Sequence, residues 1–240
     1  MKKIVDVYDL GHSPYQETWD LQHYIQKEII TEKRAEQNGE FTGHRMNDIL
    51  LLVEHPHVYT LGKSGDESNL LKNEDELSDL DATFVKIDRG GDITYHGPGQ
   101  IVGYPIMDLD RHFTDIHKYL RYLEEVIIKT CAEYDIIAGR IDGLTGVWVG
   151  DEKICALGIR SSRWVTMHGF AFNVNAHLNY FSNIVPCGIN DKTVTSLDKI
   201  LGMPQPMEEV KMKVLSNFEE VFDVSIQPHK ALPEEYTKIL

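Results

Sequence analysis

Cys187 stands in Ile184-Val185-Pro186-Cys187-Gly188-Ile189, where proline fixes the backbone on one side of the thiol and glycine frees it on the other. That setting presents a cysteine. Cys131 and Cys155 instead fall in apolar helix and strand patterns, where cysteine acts as a small hydrophobe. A thiol attacks as its thiolate and therefore needs an electropositive setting. Lys153 can supply one, because it opens the stretch Lys153-Ile154-Cys155-Ala156-Leu157-Gly158-Ile159, whose small residues let a ligand lie along it. A lysine after the turn Gly150-Asp151-Glu152 is also a common solvated residue. Strand alternation puts Cys155 on the same face as Lys153, which makes it the rival thiol.

The second chemical feature is the run Arg89-Gly90-Gly91-Asp92-Ile93-Thr94-Tyr95-His96-Gly97-Pro98-Gly99-Gln100. Glycine at this density marks a backbone that needs positive φ or that a ligand approaches closely, or else an elaborate hairpin turn. Flanking strands, Phe84-Val85-Lys86-Ile87 and Ile101-Val102-Gly103-Tyr104-Pro105-Ile106, make the run a shaped connection between sheet elements. His96, uncovered by neighbouring glycines, could with Thr94 contact a carbonyl or a developing oxyanion; His168, before Gly169-Phe170-Ala171, is the weaker candidate. No histidine, cysteine and carboxylate spacing matches a metal site, and no phosphate loop is present.

These groups must be positioned by the rest of the chain. Its 240 residues, 42% hydrophobic and 26% charged, suit one α+β domain over 1–240 with a mixed, mainly antiparallel β-sheet flanked by helices. Ile4–Tyr8 reads as an opening strand. Ser13-Pro14-Tyr15-Gln16 then offers an N-cap, a first-turn proline and a capping-box glutamine for a helix that ends at Asn38-Gly39. Asp48–Glu54 and Val58–Leu61 read as strands paired in a buried sheet, and 65–81 as a polar loop or short helix. Thr114–Tyr134 and Glu208–Phe222 read as helices. Residues 146–149, 154–159 and 164–174 read as strands separated at Gly150-Asp151-Glu152 and Arg160-Ser161-Ser162, and the remainder to Leu240 as a polar tail.

A net charge of -14 argues against non-specific nucleic-acid binding, with Arg160-Ser161-Ser162-Arg163, near Lys153 in sequence, one local basic exception on which an acidic partner could dock. No apolar stretch approaches the ~20 residues of a membrane span. The start Met1-Lys2-Lys3-Ile4-Val5-Asp6 lacks a secretory signal's apolar run, so a cytoplasmic protein without a membrane partner is expected. Three cysteines provide no disulfide framework.

Taken together, Arg89 to Gln100, Lys153 to Gly158, Trp164 to Val174 and Val185 to Ile189 resemble the octanoyltransferase family of lipoate biosynthesis. Tyr15-Gln16-Glu17-Thr18-Trp19, Leu51 to Gly62 and Val194 to Leu197 extend the resemblance over nearly the whole chain. The resemblance implies the fold of lipoate and biotin protein ligases. It also implies transfer of an octanoyl group from octanoyl-acyl carrier protein to a lysine of lipoyl domains of 2-oxoacid dehydrogenase E2 subunits or of glycine-cleavage H protein. By the same resemblance, Cys187 carries the acyl thioester and Lys153 lowers its pKa and then serves as acid or base. Arg89, Gly90, Gly91, Asp92, Ile93, Thr94, Tyr95, His96, Ala156, Leu157, Gly158, Gly169, Phe170 and Ala171 would line the acyl substrate. Cys155, where alanine is usual, is the one departure. Thioester exchange is nearly isoenergetic and thioester to amide is downhill, so no cofactor and no ATP are called for. The alternatives are an ATP-dependent lipoate or biotin ligase of the same fold, a non-catalytic binding module, and a cysteine hydrolase.

Overall fold

The first strand, β1 (Lys3–His12), turns at Ser13-Pro14 into α1 (Tyr15–Gln37), after which come β2 (Asp48–Glu54) and β3 (Val58–Leu61). A short helix α2 (Glu74–Asp79) precedes β4 (Thr83–Lys86), β5 (Ile93–His96) and β6 (Gln100–Ile106). Then follow α3 (Ile116–Ala132), β7 (Val147–Val149), β8 (Glu152–Ser162) and β9 (Val165–Asn173). The chain closes with β10 (Thr193–Val194), α4 (Leu197–Leu201), α5 (Met207–Phe222), β11 (Val224–His229) and α6 (Glu234–Thr237). This computed structural model describes residues 2–40, 43, 45–185 and 193–240.

The large sheet runs β10-β8-β9-β6-β2-β1-β11, with β7 also on β8, and a smaller sheet runs β4-β3-β5. The centre of the large sheet is antiparallel, through β2–β6, β6–β9 and β8–β9. Parallel pairs β1–β2, β1–β11 and β10–β8 complete it, so the expected α+β class with a mixed sheet holds. β2 is apolar along its length because both faces are covered. Leu50 and Leu52 join α3 and α5 in one core, while Ile49, Leu51 and Val53 pack with Leu21, Ile25 and Ile29 of α1.

Several expectations are corrected. β2 and β3 do not pair: β3 belongs to the small sheet, between β4 and β5, because the chain leaves the large sheet at His55-Pro56. A third of the glycine-rich run is itself strand, as Ile93–His96 forms β5 against β3. The cap of α1 is Pro14 rather than Ser13, whose hydroxyl instead accepts from Thr18 Oγ1 at 3.0 Å. Arg160 to Ser162 stay in β8, and the turn falls at Arg163 and Trp164, both with positive φ (51° and 65°), the mirror-image turn that matches strand twist. The expected polar tail is structural: Lys3 to Tyr8 pair in parallel with Val224 to His229, and Tyr236 of α6 is buried edge-on to Tyr8. Its polar residues face outward and hide the few apolar anchors. Among the described residues, no helix is long and apolar enough to cross a membrane.

Candidate functional site

The glycine-rich run lies where the small sheet meets the edge of β8. Gly62 N–H donates to Asp92 O, Lys63 N–H to Arg89 O and Ser64 N–H to Gly91 O, so two loops nest backbone on backbone. A Cβ at Gly62 would stand 2.3 Å from Gly91 O, which is why no larger residue fits there. Gly90 N–H reaches across to Ile159 O at 3.1 Å and ties the nest to the outer edge of β8. The Arg89 guanidinium folds back on its own loop, donating to Gly90 O (2.8 Å) and Asp92 O (2.7 Å). Gly158 makes room for it, since a Cβ there would meet Arg89 Cδ at 2.7 Å. Asp92 accepts both from Asn69 and from the Ile93 N–H, which ends the loop where β5 begins.

Two hollows open beside this nest. The larger, about 540 Å³, is walled by Arg89 to Thr94, Ala156 to Ile159, Ile116 and Leu120 of α3, Gly143 to Thr145, and Trp148, Lys153, Phe181 and Ile184. Thr193 and Val194 close it. Lys153 is half-buried at the start of β8 with Nζ 4.7 Å from the centroid of the Trp148 ring, a cation–π contact that orients the amine. Its backbone carbonyl accepts from Thr195 N–H at 3.0 Å. Cys187 lies outside the described residues. The described chain on either side of it, at Ile184 and at Thr193-Val194, lines the same cavity as Lys153.

The smaller hollow, about 30 Å³, shares Arg89, Thr94, Ala156, Leu157 and Gly158 with the first and continues past Gly169 to Ala171 toward Tyr15, Val102 and Tyr104. A polar chain closes it. His55 Nδ1 faces the Ser13 carbonyl at 2.8 Å, so that nitrogen carries the proton and Nε2 accepts from the Tyr104 hydroxyl, also at 2.8 Å. Tyr15 hydrogen-bonds to Tyr104 and stacks on His96. Burial holds these groups neutral: His55 falls to about 4, His96 well below the usual imidazole range, and both tyrosines rise. His96 is therefore a neutral donor or acceptor, not a cation.

Most expected site residues converge here. Tyr95 does not: it lines neither hollow, its hydroxyl meeting His57 Nδ1 at 2.7 Å and its ring stacking on Tyr180, because β5 alternation sends it opposite to Thr94 and His96. Phe170 contributes at the small hollow while packing into the α3 core. Cys155 is no rival nucleophile. It is fully buried in that core, and burial pushes its thiol well up. Cys131 is likewise buried and pushed up to about 12. The basic exception dissolves too, because Arg160 is ion-paired to Asp88, which also accepts from His168 Nε2 at 3.0 Å.

Sequence reasoning missed Tyr15, Tyr104, Trp148 and the α3 residues Ile116 and Leu120. Tyr15 reads as one member of an apolar helix stripe, and only tertiary packing turns it toward a cavity. Among the described residues, no group of three or more histidines, cysteines or carboxylates could hold a metal.

A family model for the lipoyl protein ligase A/B catalytic domain matches residues 14–219. The octanoyltransferase of Flavobacterium psychrophilum is 56% identical over 94% of this chain and 100% of its own. That of Christiangramia forsetii is 57% identical over 95% and 99%. Among solved structures, lipoate-protein ligase A bound with ATP superposes with a TM-score of 0.74 at 14% identity, over 100% of this chain and 92% of that one. A putative lipoate protein ligase from T. acidophilum with bound lipoic acid gives 0.74 at 14%, over 100% and 93%.

Proposed function

Because this chain belongs to the octanoyltransferase family, whose members are acyltransferases, we propose that residues 1–240 act as one catalytic domain using a Cys187 acyl thioester. Octanoyl-acyl carrier protein is the donor. The acceptors are lysines of lipoyl domains, in 2-oxoacid dehydrogenase E2 subunits, and of glycine-cleavage H protein, and the reaction takes place in the cytoplasm. The observation that carries the reading is the single cavity shared by Lys153 and by both described flanks of the Cys187 segment.

In the first half, the Cys187 thiolate attacks the thioester carbonyl. A carbon–sulfur bond forms to the enzyme, the bond to the carrier thiol breaks, and the Lys153 ammonium gives its proton to the departing thiolate. Lys153 is then neutral and can act as base. In the second half the acceptor amine attacks the same carbonyl, the carbon–nitrogen bond forms, and the lost proton passes to Lys153. Cys187 leaves as thiolate beside a renewed ammonium. The acceptor amine, of pKa ~10.4 and neutral in only roughly one molecule in a few thousand at pH 7, gives its ammonium proton to water before it attacks, and Lys153 takes the second proton as the amide forms. Arg89 to Thr94 and Ala156 to Gly158 line the acyl chain, and Gly169 to Ala171 with His96 lie beyond its far end, around the small hollow.

The test mixes the native protein with octanoyl-acyl carrier protein and follows intact mass. A hydroxylamine-labile octanoyl adduct on the peptide containing Cys187 is expected, absent in Cys187→Ser and slow to form in Lys153→Ala. An adduct that persists in Cys187→Ser refutes the thioester. Pyrophosphate release with lipoate and ATP, without carrier protein, identifies a ligase instead.

A further inference from the structure

His168 is buried to 1% exposure, takes a left-handed backbone (φ 58°) and lines the small hollow. Its Nε2 faces the Asp88 carboxylate at 3.0 Å, so Nε2 holds the proton and Nδ1 is left as a lone acceptor. Nδ1 is buried and has no hydrogen-bond partner among the described residues. The backbone N–H of His168 donates to Gln22 Oε1 at 2.8 Å, which fixes the orientation of that amide. Gln22 Nε2, a donor, is a second buried atom without a partner. An unmet acceptor and an unmet donor thus belong to two residues joined by one hydrogen bond. Buried polar atoms in such a pair are ordinarily served by ordered water.

The hollow has the size for it. A water requires roughly 10–15 Å³ by the same measure, and about 30 Å³ is present. Tyr15, Tyr104 and His96 are among its remaining walls, and burial keeps His96 neutral. Gly158 and Gly169, paired across β8 and β9, both line the hollow.

We propose that this hollow binds a water on His168 Nδ1 and so forms a polar end stop to the acyl slot, limiting the chain that the enzyme accepts. The inference rests on the acyltransferase reading above. An acyl tail that ends short of His168 leaves the water in place. A longer tail must expel it, and methylenes cannot replace its hydrogen bonds, so the imidazole nitrogen is stranded.

The experiment presents hexanoyl-, octanoyl-, decanoyl- and dodecanoyl-carrier proteins to the native enzyme with a lipoyl domain as acceptor, alongside a high-resolution crystal structure. We expect a water peak within about 3.2 Å of His168 Nδ1. Beyond octanoyl, kcat/KM falls by roughly 10- to 100-fold, the cost of stranding one buried polar group expressed as a rate ratio. His168→Gly, which tolerates the positive φ, removes the acceptor and narrows that ratio to about 3-fold or less. Dodecanoyl transfer by the native enzyme within about 3-fold of octanoyl, or a dry hollow in the density, overturns the proposal. Failure to transfer any of the four chains overturns the acyltransferase reading and the end stop with it, whereas equal transfer of all four overturns the end stop alone.

Discussion

Glu124→Ala removes the buried carboxylate that anchors the wall of the large cavity. The Glu124 side chain is 1% exposed, and its Oε1 accepts from Gly146 N–H at 3.2 Å. Oε2 accepts from Arg121 at 2.7 Å and Arg140 at 2.8 Å. Gly146 (φ 129°) abuts the Lys153 stem: a Cβ there would lie 3.2 Å from Lys153 Cε. The substitution strands one buried N–H, at about 1–3 kcal/mol. The two arginines, 51% and 32% exposed, rehydrate, so the charge contribution stays below the 3–5 kcal/mol of a fully buried pair. We expect a total near 3 kcal/mol, which for a chain of this size lowers Tm by roughly 6–12 °C. Glu124→Gln keeps an acceptor for Gly146 and costs about 1 kcal/mol. Calorimetry with denaturant titration reads both, and the alanine variant also slows acyl transfer by loosening the wall against Lys153. An alanine variant melting within about 2 °C of the native protein refutes the anchoring argument.

Tyr236→Ala tests whether the C-terminal segment is structural: we expect a loss of about 3 kcal/mol in urea, whereas a free tail loses nothing measurable. Native-state alkylation near pH 7 leaves Cys131 and Cys155 unmodified, and mass spectrometry showing either labelled faster than global unfolding contradicts their burial. Stability falls on acidification. The His55 pKa is depressed on folding, so its contribution is full above the unfolded value near 6.5 and is lost as pH drops through about 4, by about 3 kcal/mol, with His96 and His168 acting in the same sense. In His55→Gln the slope between pH 6.5 and 4 flattens, and an unchanged denaturation profile contradicts the assignment.

Local chemistry made much of this protein legible in its residues. The uninterrupted apolar run at Asp48–Glu54 could only be a strand covered on both faces, and the stripe from Ile116 to Cys131 only a helix over a core. Glycines at 90, 91 and 158 announced close backbone approach, and contacts to Ile159 O and the Arg89 side chain supply the reason. The family was legible as well, because its motifs are short and contiguous.

What the order of residues left open are the relations that depend on long-range pairing. Whether Val58–Leu61 joins the large sheet or founds a small one depends on where Thr83–Lys86 returns. The C-terminal strand exists only because β1 offers an open parallel edge. Strand period alone could not separate Lys153 from Cys155; packing against α3 did, by burying one beneath a helix and leaving the other at a cavity wall. Likewise Tyr15, His55, His96, Tyr104 and His168 come from five separate elements or turns, and no spacing in the chain foretells that they meet. Burial sets both their protonation and their pairing, and burial is a property of the closed core rather than of any segment.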